Sequence, residues 1–250
     1  TMMPTNSVAV FFASAQRNRA NDVDYIYHQD PDFYYLTGYR EPNSVLVIFS
    51  ENQKDLEGHG YDEILYVQER DPKAEQWNGK RLGIEGAKQK LGFDMALNAK
   101  EFHEAPIDYS SFDTVLFFNF KNDYRDARGE ADLFDLIKTF KEKANYPSNY
   151  DATKQRLYSM IKSTDIQNSA NVAQTLGRYL SYYDDLKDDA LLSGFVNAGD
   201  DKVRDEIKQK VTLELEGNNL NSAALSEIMN TLRETKTQEE MVLLKKDVEI

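Results

Sequence analysis

The sequence predicts a layered α/β domain, and three observations carry that expectation. Continuous apolar runs of strand length recur at 7–12, 44–49, 64–67 and 114–118. A helical pattern at 84–91 lies between the third and fourth runs, and Gly92 follows it as a left-handed stop. From residue 129 onward the pattern is almost entirely helical. Unbroken apolar runs suit strands covered on both faces. Strands alternating with helices then argue for a sheet between helical layers.

The elements follow in order. Between the second and third strands, Gly58-His59-Gly60 sits among charged residues and reads as a hairpin or loop tip. Between the first and second, Asp30 suits a helix N-cap, Pro31 the first helical position, and Asp32 the positive helix end. Phe33 to Leu36 fill one short turn, which Gly38 can end. Helical patterns then occupy roughly 130–144, 152–162, 167–187, 201–216, 221–233 and 237–250. The first is expected to pack on the sheet, and the others read as a helical insertion or extension in the C-terminal third. The division is 1–145 for the α/β domain, 146–230 for the helical segment, and 231–250 for a linker with the start of a further helix. In that helix Met241, Leu244 and Val248 share one face. Thr1 is not an initiator, and no Gly or Pro stops the last helix, so the chain is expected to be part of a larger protein.

Composition excludes several function classes. A formal charge of -13 repels phosphate and argues against nucleic-acid binding. No run approaches the ~20 apolar residues of a membrane-spanning helix, and no basic start precedes an apolar stretch as in a secretory signal. The absence of cysteine removes disulfides, thiolate catalysis and Cys-ligated zinc. A cytoplasmic location is the expectation, and the periplasm is compatible with the same composition. The acidic stretch around Asp184, Asp185, Asp188 and Asp189, with Asp200 and Asp201 beyond it, reads as a solvated helical surface.

No complete catalytic constellation is present. His28, His59 and His103 are the only histidines, with no His-Glu-x-x-His pair, nucleophile elbow or Gly-rich phosphate loop. Alternating His28, Asp30 and Asp32 have the residue types of a metal site, but one capped turn accounts for the whole motif. Arg19 and Asp22 are close enough for an internal ion pair and could also face a partner. Trp77, the only tryptophan, lies among polar residues and glycines and reads as part of a loop. A large aromatic in that setting points to an interface or a site mouth. The alternative is that it folds back on its own sheet.

These segments together resemble a known family. Arg19-Ala20-Asn21-Asp22 precedes the stretch 27–42, in which Tyr27, Asp32, Phe33, Tyr35, Thr37, Gly38, Glu41 and Pro42 keep the family's order and spacing. Glu75 to Gly83, around Trp77, is similar to the family's Trp-loop before a helix. Lys236, Thr237, Glu239 and Glu240 resemble the link into a following domain, and Thr237 with Glu240 also fits a capping box. The family is aminopeptidase P, the Xaa-Pro aminopeptidases, in its N-terminal domain of the creatinase/prolidase type. The resemblance covers 7–120 and 230–250 and fades over about 145–230.

The resemblance implies a ribonuclease-H-like mixed sheet flanked by helices. It implies that the chemistry belongs to a C-terminal pita-bread domain, where two divalent metal ions, usually manganese, are held by two Asp, one His and two Glu. A hydroxide bridging them attacks the peptide bond before proline. None of those ligand motifs occurs by Ile250, so no catalytic or metal residue and no cofactor is assigned to this chain. The implied partners are its own catalytic domain, further copies in a homo-oligomer, and peptides with proline at the second position. Trp77 matches a residue whose loop reaches a neighbouring subunit's active-site entrance, and Asp22 an acidic residue that approaches a neighbour's site through an Arg partner; Arg19 is assigned with them to the entrance or interface. Two other readings stand beside this one: a metal-less pita-bread relative that binds peptides or proteins, and a prolidase or creatinase.

Overall fold

A computed structural model describes residues 2–55, 57–120 and 129–248. The chain opens with β1 (Ser7–Phe12), followed by the small hairpin β2 (Asn18–Ala20) and β3 (Val23–Asp24). Next come α1 (Pro31–Thr37), the long hairpin β4 (Val45–Lys54) and β5 (Gly60–Val67), α2 (Pro72–Asn78), α3 (Gly83–Leu91), β6 (Ala96–Asn98) and β7 (Thr114–Phe117). After α4 (Leu133–Lys143) come α5 (Ala152–Ser163), α6 (Ser169–Leu180), α7 (Ala190–Asn197) and α8 (Asp201–Glu216). The chain then forms β8 (Leu220–Asn221), α9 (Ala224–Glu234) and α10 (Gln238–Val248).

The main sheet runs β6-β5-β4-β1-β7-β8. β4 is antiparallel to both β1 and β5, whereas β7 lies parallel to β1 with Val8 opposite Val115. β6 and β8 add parallel strands at the two edges. This is the ribonuclease-H-like mixed sheet expected from the resemblance, with β6 as an additional edge strand.

Period-2 alternation explains why both faces are covered. Val8, Val10, Val45, Val47, Val115 and Phe117 point to one face, where they meet Phe102, Tyr109, Leu136 and Phe140. Their neighbours Ala9, Phe11, Leu46, Leu65 and Leu116 point to the other, against Phe33, Tyr39, Ala87, Leu225 and Met229. On the first face the Phe140 ring lies 5.3 Å from Tyr109, 5.5 Å from Phe117 and 5.7 Å from Phe12, centroid to centroid, and fixes α4 over the sheet. On the second, α1, α3 and α9 supply the cover.

The segment expected to be helical throughout divides in two. Helices α5 to α8 gather around a separate core of Leu157, Tyr158, Ile161, Leu176, Leu192, Phe195 and Val211. β8 and α9 instead belong to the main sheet: Leu220 pairs with Val115, and Leu225 and Met229 enter its second core. The acidic run is also more than a solvated face. Asp189 caps α7, accepts from the Tyr158 hydroxyl at 3.0 Å, and lies 2.9 Å from Lys154 Nζ, which also reaches Glu214 at 3.1 Å. Asp200 caps α8.

Candidate functional site

The resemblance-bearing stretch 27–42 builds a scaffold. Asp30 Oδ1 accepts from the backbone N–H of Asp32 and of Phe33, each at 3.0 Å, and caps α1 as expected. Gly38 ends the helix at φ 65°, a conformation that suits a residue without Cβ. The Thr37 hydroxyl donates to Phe33 O at 2.7 Å and accepts from Tyr39 N at 3.0 Å, so it satisfies the buried helix end. Glu41 then joins two elements: one carboxylate oxygen accepts from the Tyr39 hydroxyl at 2.8 Å and the other from Leu82 N at 2.6 Å. Burial and the nearby Glu41 charge push the Tyr39 phenol up, so it remains a donor.

Gln29 secures the arm that precedes α1. Its side-chain oxygen accepts from Ser14 N, Asp30 N and the Tyr27 hydroxyl, each at 2.9 Å, and its amide nitrogen donates to Glu41 O at 3.0 Å. The arm carries the β2–β3 hairpin, which turns at Asn21 (φ 50°). Asn18 Nδ2 closes the turn by donating to Asn21 O at 3.0 Å and Val23 O at 3.2 Å. Arg19 and Asp22 both stand exposed on this hairpin and form no ion pair with each other, so the internal pairing considered from sequence does not occur. A groove of about 880 Å³ lies beneath, floored by Val10, Phe12, Phe118 and Ile137 and edged by Arg19 and Tyr27. It includes neither Asp22 nor Trp77.

Trp77 is on a helix and not in a loop. Asp71 caps α2 through Lys73 N and Ala74 N, with Pro72 at the first position and Gly79 (φ 82°) after the end. The indole is 88% exposed, so it does not fold back on the sheet. Val23, Tyr25 and Ile26 on the arm are exposed as well.

Two clusters resemble chemistry and have structural explanations. His103 Nε2 lies 2.8 Å from Asp135 Oδ2 and its Nδ1 2.8 Å from Thr139 Oγ1, the residue types of a nucleophile relay. Thr139 is 3% exposed in the middle of α4, out of reach of a substrate, and the chain of bonds ties the turn before His103 to that helix. At the other cluster, Asp30 is used as a cap and Asp32 pairs with Arg233 at 2.8 Å, while His28 is exposed. The Asp32–Arg233 contact, which the sequence reading did not anticipate, holds the end of α9 against α1, and the Arg233 guanidinium also lies over the Tyr35 ring. The expected capping box opens α10: Thr237 N donates to Glu240 at 2.7 Å and Glu240 N to Thr237 at 3.2 Å. Met241 to Leu244 are all exposed on that helix, and the Val248 side chain lies outside the described residues.

Comparison with known proteins shows what the first part of the chain is similar to. Residues 1–115 match the family described as aminopeptidase P, N-terminal domain. A Xaa-Pro aminopeptidase of Haemophilus influenzae is 38% identical over 100 residues, which is 40% of this chain and 22% of that protein. Xaa-Pro aminopeptidase 3 of Homo sapiens is 40% identical over 98 residues, 39% of this chain and 19% of that one. The matches span about a fifth of the length of these curated relatives. Among solved structures, the low-pH form of aminopeptidase P from E. coli is 32% identical with a TM-score of 0.42, covering 58% of this chain and 30% of that chain.

Proposed function

We propose, from the match of residues 1–115 to the family described as aminopeptidase P, N-terminal domain, that this chain is the non-catalytic N-terminal part of a metal-dependent Xaa-Pro aminopeptidase. The parent enzyme releases the N-terminal residue that precedes proline. Its N-terminal part assists oligomer assembly and shapes the entrance to an active site. Trp77, Arg19 and Asp22 are the residues assigned to that entrance or to the interface beside it.

The observation that carries this reading is Trp77, a large apolar side chain held 88% exposed on a capped helix, within the segment that matches the family. Exposed indoles of this kind are favoured as anchors where two surfaces meet. The two divalent ions, manganese by expectation, are assigned to residues beyond this chain. Among the described residues no three His, Asp or Glu side chains converge into a group fit to hold a metal. The described residues therefore do not fit those ions.

The test is Trp77→Ala in the full-length protein. KM for a peptide with proline second, or the dissociation constant of the oligomer, is expected to rise about tenfold or more, the scale of a lost aromatic anchor. Unfolding stability should stay within about 0.5 kcal/mol, as for an exposed position. Unchanged kinetics and assembly would remove the assignment. Loss of Xaa-Pro cleavage on chelation, regained with manganese, separates this reading from the metal-less binding relative.

A further inference from the structure

The segment that carries Trp77 leaves the sheet at Val67 and returns at α3, and core packing does not hold it: no apolar residue of α2 is buried. A seven-residue helix is not stable by itself in water. Polar contacts hold it instead. Arg70, on the outgoing limb, grips Glu75 with two parallel bonds, Nε to Oε1 at 2.9 Å and NH2 to Oε2 at 2.8 Å. The Glu75 side chain is only 8% exposed, although Arg70 remains open to solvent. Arg81, on the returning limb, helps Arg70 hold the Glu75 carboxyl below its ordinary value, and its guanidinium donates to Glu69 O at 3.2 Å. The Glu75 carboxylate thus fastens α2 to the outgoing limb two residues before the indole, and Arg81 ties the returning limb to the same strand end.

Gly83 makes the arrangement possible. A Cβ there would lie 2.6 Å from Arg70 Cγ, so the bare glycine leaves the Arg70 stem its path to Glu75. The limbs are fixed to the sheet further out, by Gln68 Nε2 to Pro42 O at 2.9 Å and by Glu41 to Leu82 N at 2.6 Å. Their ends are therefore fixed to the sheet, and the Arg70–Glu75 fork is the side-chain contact that joins the body of α2 to them.

We propose that Glu75 and Arg70 are positioning residues for Trp77, a brace that presents the indole in one orientation to whatever it meets at the entrance. The second half of that statement rests on the proposed function, and the first half does not.

The experiment uses the fact that Trp77 is the only tryptophan of the 250-residue chain, so its emission reports α2 alone. Time-resolved fluorescence anisotropy is compared for the parent, Glu75→Gln, Arg70→Lys, and the exchanged pair Arg70→Glu with Glu75→Arg. The amplitude of nanosecond indole motion is expected to at least double in both single variants and to return toward the parent in the exchanged pair. Far-UV circular dichroism should remain unchanged, and Arg70→Lys, which keeps the charge and loses only the fork, guards against a misfolded Glu75→Gln. An indole equally rigid in all four proteins overturns the brace.

The same single variants in the full-length enzyme separate the two halves. A looser indole with raised KM and unchanged kcat supports both. A looser indole with unchanged KM supports the brace and removes the entrance reading. A KM that responds to Trp77→Ala, with the indole rigid in every brace variant, overturns the brace and leaves the entrance reading standing.

Discussion

Single residues show how far types and spacing can be read. The Asp30-Pro31 start and Gly38 stop of α1 were legible because each position has a local physical reason. Asp30→Ala should cost about 1 kcal/mol in chemical denaturation through loss of two N-terminal acceptor bonds. The identical Asp-Pro signature at Asp71-Pro72 opens α2, yet the polar residues around Trp77 point to a loop, because a helix that buries no apolar side chain leaves no apolar stripe. The partners of Glu41 and Glu75 were not legible: each carboxylate answers a group brought to it by the fold. Tyr109 is another such case. Its hydroxyl is buried without a hydrogen-bond partner in the first core, beside Tyr66. Tyr109→Phe should therefore leave stability unchanged or raise it by up to about 1 kcal/mol in urea unfolding, since it removes a desolvated donor and keeps the ring packing.

At the scale of elements, most helices with an apolar stripe and the strands with long apolar runs were anticipated to within several residues; α6 stops at Leu180, short of the expected 187, α7 was missed between two expected helices, and short polar elements were missed too. β8 offers one apolar residue, Leu220, flanked by asparagines, and only its neighbour β7 makes it a strand. The β2–β3 hairpin is exposed at every position. The union of α4 with the turn before His103 is likewise tertiary. Burial alone would raise the Asp135 carboxyl, but hydrogen bonds from His103 and from the Ala131 N–H outweigh it and leave it below its ordinary value. A depressed folded value contributes stability that is present above the ordinary carboxylate range and is lost as pH falls through the depressed one. Asp135→Asn should therefore flatten the acid limb of a stability-against-pH curve below about pH 4, read by thermal unfolding at each pH.

At the scale of the whole molecule, the chain has a sheet with two covered faces and a helical unit with its own interior. Lys154 joins α5 to Asp189 before α7 and to Glu214 on α8, with most of its side chain and that of Asp189 out of solvent. Lys154→Met leaves Asp189 without its cation, and truncating one partner of a shielded pair is more damaging than never having had it. Hydrogen exchange should accelerate in α5, α7 and α8 while the amides of β1, β4 and β5 keep their protection, because the two interiors share no residue. The pairing of Val115 with Leu220 also dictates an order of events during synthesis. When β7 leaves the ribosome, its outer edge has no neighbour, and it stays open to mispairing until the entire helical unit has been translated. If that unit folds as it emerges, it draws its two ends together and shortens the loop that must close before β8 can arrive.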